Sequence, residues 1–349
     1  MIRIPCPSLT VIRVVLAISV LIGHAPALHY YPNALLHLLN QYPLQLGSLA
    51  VDLFFGISGV LVTKSALRSY SPLTYAALRA IRIIPALCVC LLVTIFVIGP
   101  ITSTLHYTTY FTNPLVIAYF WNNISFNTSF VLPGVFAENV YQNSVNGSLW
   151  TLRYEVFLYL VIGLARYLKH YFLTSLLCYS ALIFYLPYTM LLAARVPLTI
   201  GISTSLLTYL NESQHSQFSG NRGVIFCVLS CSLLVSGCDV FRSLLTTLFL
   251  IPIVHLLLMS NAAIYGLSTR CPDISYGVYI YAFPIQQVVE LFLHETSLIF
   301  KVISDLLLSI IAGMMSYKFV EKPLLMRRQA ISGYINERIN KWRILRFPI

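Results

Sequence analysis

Charge is what this sequence has least of. Asp, Glu, Lys and Arg make up 9% of its 349 residues, against about 25% in an ordinary soluble domain. So few charges cannot cover a water-exposed surface of this size, and the deficit runs along most of the chain, which excludes a large soluble appendage. The eight cysteines (Cys6, Cys88, Cys90, Cys178, Cys227, Cys231, Cys238, Cys271) lack the paired spacing of a zinc site. Most lie in apolar runs and read as buried thiols, so neither a disulfide framework nor a metal site is expected. No internal repeat and no Gly/Pro-interrupted pair of spans is visible, which weakens a transporter architecture.

What remains is apolar: 58% hydrophobic residues and a mean hydropathy of +0.80. A membrane helix needs about 20 such residues. Candidate runs are 9–28, 48–64, 83–101, 149–166, 171–192, 196–211, 222–238, 242–260, 274–293 and 299–317. The expected fold is therefore an all-α membrane protein, a bundle of about ten transmembrane helices over 1–320, with a basic tail at 321–349. Segment 113–148 mixes apolar stretches with Asn, Ser and Pro and reads as an outer loop with an interfacial or re-entrant piece. Arg3 and the apolar run after it imitate a signal peptide, but Arg13 inside the run and the many spans that follow argue against cleavage.

The formal charge of +11 would suggest nucleic acid in a soluble protein. Here it reads as the excess of Lys and Arg in cytoplasmic loops. With the N-terminus inside, 17 of the 22 basic residues fall on inner segments, and only Arg195, Arg242 and Lys301 fall at outer ends. An N-in, C-in topology is expected.

Ionisable residues inside spans are costly and so are functional candidates. Arg13 and His24 in the first span share a helix face, about 16 Å apart. Asp52 in the second span and Glu155 in the fourth lie, like His24, one to two turns below the outer surface. A carboxylate beside a His fixes its tautomer and raises its basicity. On the inner side, Arg79 and Arg82 face one way at i and i+3, a fork suited to phosphate, although alone the pair also reads as a topology anchor. Trp150 and Tyr276 are candidate substrate contacts. His29, His37, His106, His255 and His294 show no sequence partner and read as structural.

These pieces fall in a fixed order: Arg13 with His24; Ala50-Val-Asp-Leu-Phe-Phe-Gly-Ile-Ser-Gly59; Arg79-Ala-Ile-Arg82 with Pro85; Ser148-Leu-Trp-Thr-Leu-Arg-Tyr-Glu155; Ser275-Tyr276; and Glu321-Lys-Pro323. Together they resemble the integral-membrane acyltransferase-3 family, whose bacterial members acylate surface glycans. One departure is Tyr279-Ile-Tyr-Ala-Phe-Pro284, which has Ala282 where many members have His. The resemblance implies transfer of an acyl group, most often acetyl from acetyl-CoA as donor, to a sugar hydroxyl of lipopolysaccharide O-antigen or another exported polysaccharide. It implies no permanently bound cofactor, and no C-terminal esterase-like domain is expected. On this reading His24, Glu155 and Asp52 are catalytic, and Arg79, Arg82 and Arg13 hold the donor. Two other readings stand beside it: the same chemistry on a small molecule, lipid or peptidoglycan, and a transporter of an anionic lipid or glycan.

Overall fold

The computed structural model describes residues 7–29, 46–168, 188–213 and 272–346. Among them, all regular structure is helical. Helix α1 is Pro7–Leu28, α2 Leu46–Arg68, α3 Pro72–Val93, α4 Tyr107–Thr112, α5 Pro114–Ile124 and α6 Leu152–Leu168. They are followed by α7 Tyr188–Ser213, α8 Ser275–Leu293, α9 Leu298–Ser316, α10 Lys322–Met326 and α11 Arg328–Arg346. Five helical stretches are long and apolar enough to cross a membrane: Thr10–Leu28, Leu46–Arg68, Pro72–Thr102, Gly147–Leu168 and Leu298–Lys341. The protein is thus a helical membrane protein. Five of the ten expected spans correspond to these; 196–211 and 274–293 fall in helices α7 and α8, which are not among the five, and the runs 222–238 and 242–260 and most of 171–192 lie outside the described residues.

Local sequence explains how the helices start and bend. Ser71 caps α3 by accepting from the Thr74 amide, and Pro72 follows at the first position, where a missing N–H costs nothing. Wide π turns at Thr94–Ile98 and Tyr317–Glu321 each precede a proline, Pro100 and Pro323. The second turn swings Glu321 inward, where it is buried. Such turns often mark functional positions.

Helices in lipid approach closely through small residues, because the lipid tails are as apolar as the side chains. A Cβ on Gly59 of α2 would lie 2.2 Å from the Gly201 carbonyl of α7, and one on Gly277 of α8 would lie 2.8 Å from the Gly313 Cα of α9. Polar pairs reinforce the first contact: Thr204 donates to the Gly56 carbonyl at 2.9 Å, and Thr63 meets Ser205 at 2.7 Å. Outward-facing residues such as Phe96, Leu160, Ile299 and Phe319 are apolar and exposed, as a lipid-facing surface requires.

The packing fixes relative sides. Helices α1 and α8 run parallel, since Arg13 meets Asp273, the Leu21 carbonyl accepts from Gln286, and His29 meets Glu290. Helix α9 returns antiparallel to α8. The start of α1 therefore shares a side with Arg82, Asp273 and Glu321, and its end shares the far side with segment 103–151. That segment forms α4, α5 and an ordered loop, in keeping with an interfacial outer piece. Exposed Leu115, Ile117 and Trp121 on α5 suit a membrane interface. Gln287 of α8 pins the loop by donating to the Tyr141 and Ser144 carbonyls at 2.7 Å each, while Asn139 donates to the Gln287 side chain at 2.8 Å. Helix α11 docks beside the start of α3 through Thr74–Asn336 at 2.6 Å and Tyr70–Asn340 at 3.1 Å.

Candidate active site

On the far side, a cavity of about 250 Å³ opens between α1, α8 and the pinned loop. It is lined by His24, Ala27, Leu28, Phe130, Tyr141, Ser144, Gly147, Trp150 and Phe283. His24 and Trp150, expected from sequence to serve the site, thus share one cavity. The His24 ring stands edge-on to Phe283, with centroids 5.6 Å apart. Its Nδ1 is buried with no hydrogen-bond partner among the described residues. A buried polar atom left in that state is uncommon in native structures and calls for a functional reason. Gly147 lies against Phe283, where a Cβ would come within 2.5 Å of the ring. The Ser148–Thr151 turn is tied to α8 through the Tyr279 hydroxyl, which lies 2.7 Å from Thr151 Oγ1 and donates to the Ser148 carbonyl at 3.1 Å. Tyr279 therefore joins two sequence motifs. The volume lies below the roughly 300 Å³ at which sites for drug-sized ligands begin, so it suits one sugar-sized group between aromatic faces.

The other predicted catalytic residues lie elsewhere. Glu155 accepts from the Tyr159 hydroxyl one turn along α6, and it is near enough to Tyr276 and Arg82 to act on them electrostatically. No described hydrogen bond joins it to His24. Asp52 is fully buried in α2 and is not among the cavity residues. Arg153 reaches the loop, donating to the Phe126 carbonyl and the Asn127 side chain. Equal depth in three helices leaves each helix's rotation open, and neither Glu155 nor Asp52 lines the His24 cavity.

Near the start of α1, Arg13 reaches Asp273 at 2.6 Å. Arg82 reaches the same Asp273 oxygen at 2.8 Å and Glu321 at 2.9 Å. Two guanidiniums and two carboxylates make this group neutral. Asp273 lies just before α8. Burial works against its charge, but Arg13, Arg82 and the Ser275 hydroxyl hold its carboxyl well below the usual carboxylate range. Tyr276 belongs here too: it donates to the Ile83 carbonyl at 3.1 Å, and Arg82 lies 6.0 Å from its ring centroid. It is not among the residues lining the cavity.

Arg79 separates from Arg82. It donates to Ser65 Oγ at 3.2 Å and lies over the Tyr159 ring, and its Nε is buried and unpartnered. Arg328, at the start of α11, reaches the same Ser65 hydroxyl at 3.5 Å. Arg68 and Arg79 both lie close enough to repel the Arg328 charge. None of the three has a carboxylate partner among the described residues. Guanidiniums gathered without a described counter-charge are compatible with an anion such as phosphate. The sequence reading missed Arg328 and Arg68 because they come from separate inner segments.

A further group went unread altogether. His29, taken as structural and unpartnered, is buried between Glu290 and Asp305, at 2.6 and 2.8 Å from its two ring nitrogens. Lys301 joins Glu290 at 2.8 Å. Charged residues inside the last two spans were the available signal.

This arrangement defines a class: a membrane protein with a histidine at an aromatic cavity on one side and a phosphate-compatible basic cluster on the other. Residues 7–317 match the acyltransferase-3 family, described as an acyltransferase domain, and the chain belongs to that family. It is an acyltransferase. It is 30% identical, over 90% of its length and 95% of the relative's, to a Shigella phage Sf6 protein named O-acetyl transferase. No solved structure matches the chain.

Proposed function

We propose that the protein is an O-acetyltransferase of the bacterial inner membrane, taking acetyl from acetyl-CoA on the cytoplasmic side and delivering it to a glycan hydroxyl at the opposite face. The acceptor we assign is lipopolysaccharide O-antigen or another exported polysaccharide. The name of the phage relative supports O-acetylation. The observation that carries the reading is His24: its Nδ1 is buried and unpartnered beside an aromatic cavity of sugar size.

A sugar hydroxyl is too weakly acidic to attack a thioester unaided. His24 takes its proton as the oxygen adds to the thioester carbonyl. The tetrahedral adduct then expels the CoA sulfur, which leaves with the proton His24 held. General-base help of this kind contributes about 10²–10⁴-fold.

The donor's phosphates are assigned to Arg79 and Arg328, with Arg68 beside them. Arg82 and Arg13, expected from sequence to share that task, already face Asp273 and Glu321, and their part is to brace α1, α3 and α8. With the N-terminus inside, the three donor arginines are cytoplasmic. The donor cluster and the His24 cavity lie toward opposite ends of the bundle, a separation for the extended pantetheine arm to cover.

The test compares the surface polysaccharide of wild-type and deletion cells by mass spectrometry and NMR. Loss of O-acetyl groups in the deletion strain, restored by the wild-type gene and not by Arg79→Ala/Arg328→Ala, supports the reading. An unchanged glycan overturns the choice of acceptor. Each charge-assisted contact is worth about 1.5–3 kcal/mol, so the double variant should raise KM for acetyl-CoA at least about 10²-fold.

A further inference from the structure

The His29 group lies outside the chemistry above, yet it adjoins the cavity. His29 follows Ala27 and Leu28, both cavity residues, and lies five positions after His24. Its ring is fully buried, with Nδ1 2.6 Å from Glu290 Oε2 on α8 and Nε2 2.8 Å from Asp305 Oδ2 on α9. Lys301 of α9 donates to the same Glu290 oxygen at 2.8 Å. All four side chains are at most 5% exposed. Among the described residues these are the titratable groups that α1, α8 and α9 turn toward one another here. His294 and Glu295 pair at the surface instead.

Hydrogen-bond chemistry restricts the state of this ring. A neutral imidazole has one N–H and one bare nitrogen. Two ionised carboxylates, each facing a ring nitrogen, both need a donor. Charge counting agrees. Lys301, Glu290 and Asp305 alone leave one uncompensated negative charge in a buried site, which is costly. A second proton on His29 makes the group neutral. Asp305 depends on that proton more than Glu290 does, because Glu290 also has Lys301, whereas Asp305 Oδ1 has no partner and Gln286 reaches Oδ2 only at 3.5 Å.

We infer that His29 is held as a doubly protonated bridge that clamps the end of α1 to α8 and α9 and so positions His24. Gln286 assists by donating to the Leu21 carbonyl at 3.0 Å. Together these contacts set the register in which the His24 ring meets Phe283. His29 is a positioning residue: it is not among the residues lining the cavity, and it acts through the turn that carries His24. The inference rests on the role proposed for His24, but its direct readout does not.

That readout is solid-state NMR of the protein in lipid bilayers with ¹⁵N-labelled histidine, His29→Gln identifying the His29 signals. Two protonated ring nitrogens at about pH 7.5, where an unperturbed histidine is mostly neutral, are expected. One bare nitrogen on His29 overturns the inference. The kinetic arm uses the same variant. Misplacing a catalytic group by about 1 Å costs about 10²-fold, so His29→Gln should lower kcat by about that factor and leave KM for acetyl-CoA unchanged. His29→Gln/Asp305→Asn restores neutrality and should fold better and turn over faster than His29→Gln. A double variant no better than the single one contradicts the charge-balance argument. If the wild-type protein transfers no acetyl group, the proposed function fails while the NMR result still decides the state of His29.

Discussion

Replacing Asp273 with Asn removes the carboxylate between two guanidiniums, and the geometry sets the size of the effect. Arg13 and Arg82 meet one Asp273 oxygen at 2.6 and 2.8 Å. Each charge-assisted contact contributes about 1.5–3 kcal/mol when well shielded. The three side chains are 15–24% exposed, so part of that is lost to solvent screening. Arg82 also keeps Glu321 at 2.9 Å, leaving Arg13 as the cation stranded by the change. A net destabilisation of about 2–3 kcal/mol follows. The assay is denaturant unfolding in detergent micelles followed by tryptophan fluorescence, run on Asp273→Asn, Arg13→Gln and the double variant. The double variant should lose less than the sum of the single ones, with a coupling of about 0.5–3 kcal/mol. Strict additivity would refute the ion-pair argument. The pH dependence has a definite sign. The Asp273 carboxyl is held below the ordinary range, so its contribution is complete above about pH 4, the ordinary Asp value, and is lost as pH falls from there through the folded value.

Other consequences are equally open to test. Trp150→Ala should raise KM for the acceptor with little change in KM for acetyl-CoA, since Trp150 lines the far cavity; equal changes in both would remove it from the acceptor site. Gly277→Leu places a side chain where even a Cβ meets the Gly313 backbone at 2.8 Å; expression and thermal stability should fall sharply, whereas Gly333→Leu, with nothing within 4 Å, should be silent. Reporter fusions after residue 110 should read outside and fusions after 72 and 335 inside; the reverse pattern would invert the donor and acceptor faces.

The helical class was legible because long apolar runs leave few alternatives, and the shared face of Arg13 and His24 followed from helical periodicity. Both residues do point toward α8, one to Asp273 and one to Phe283. Partners were not legible. Arg13 and Asp273 are 260 positions apart, and His29 and Asp305 are 276 apart, so only folding brings them together. Asp273 lies just before the Ser275-Tyr276 motif but outside it, and its role follows from the two arginines that converge on it. Arg79 and Arg82 looked like one fork because i and i+3 share a face. Neighbouring helices divide them, Ser65 and Arg328 on one side and Asp273 and Glu321 on the other. Glu155 meets the same limit: hydropathy gives depth in a span, while rotation about the helix axis depends on packing.

The most direct test of the central claim is acetyl transfer by His24→Gln, purified in lipid nanodiscs, from radiolabelled acetyl-CoA to the isolated glycan. The rate should fall by about 10²–10⁴-fold, with acetyl-CoA binding unchanged and unfolding behaviour close to wild type. A well-folded variant that transfers acetyl at a near-normal rate would contradict general-base catalysis at the His24 cavity.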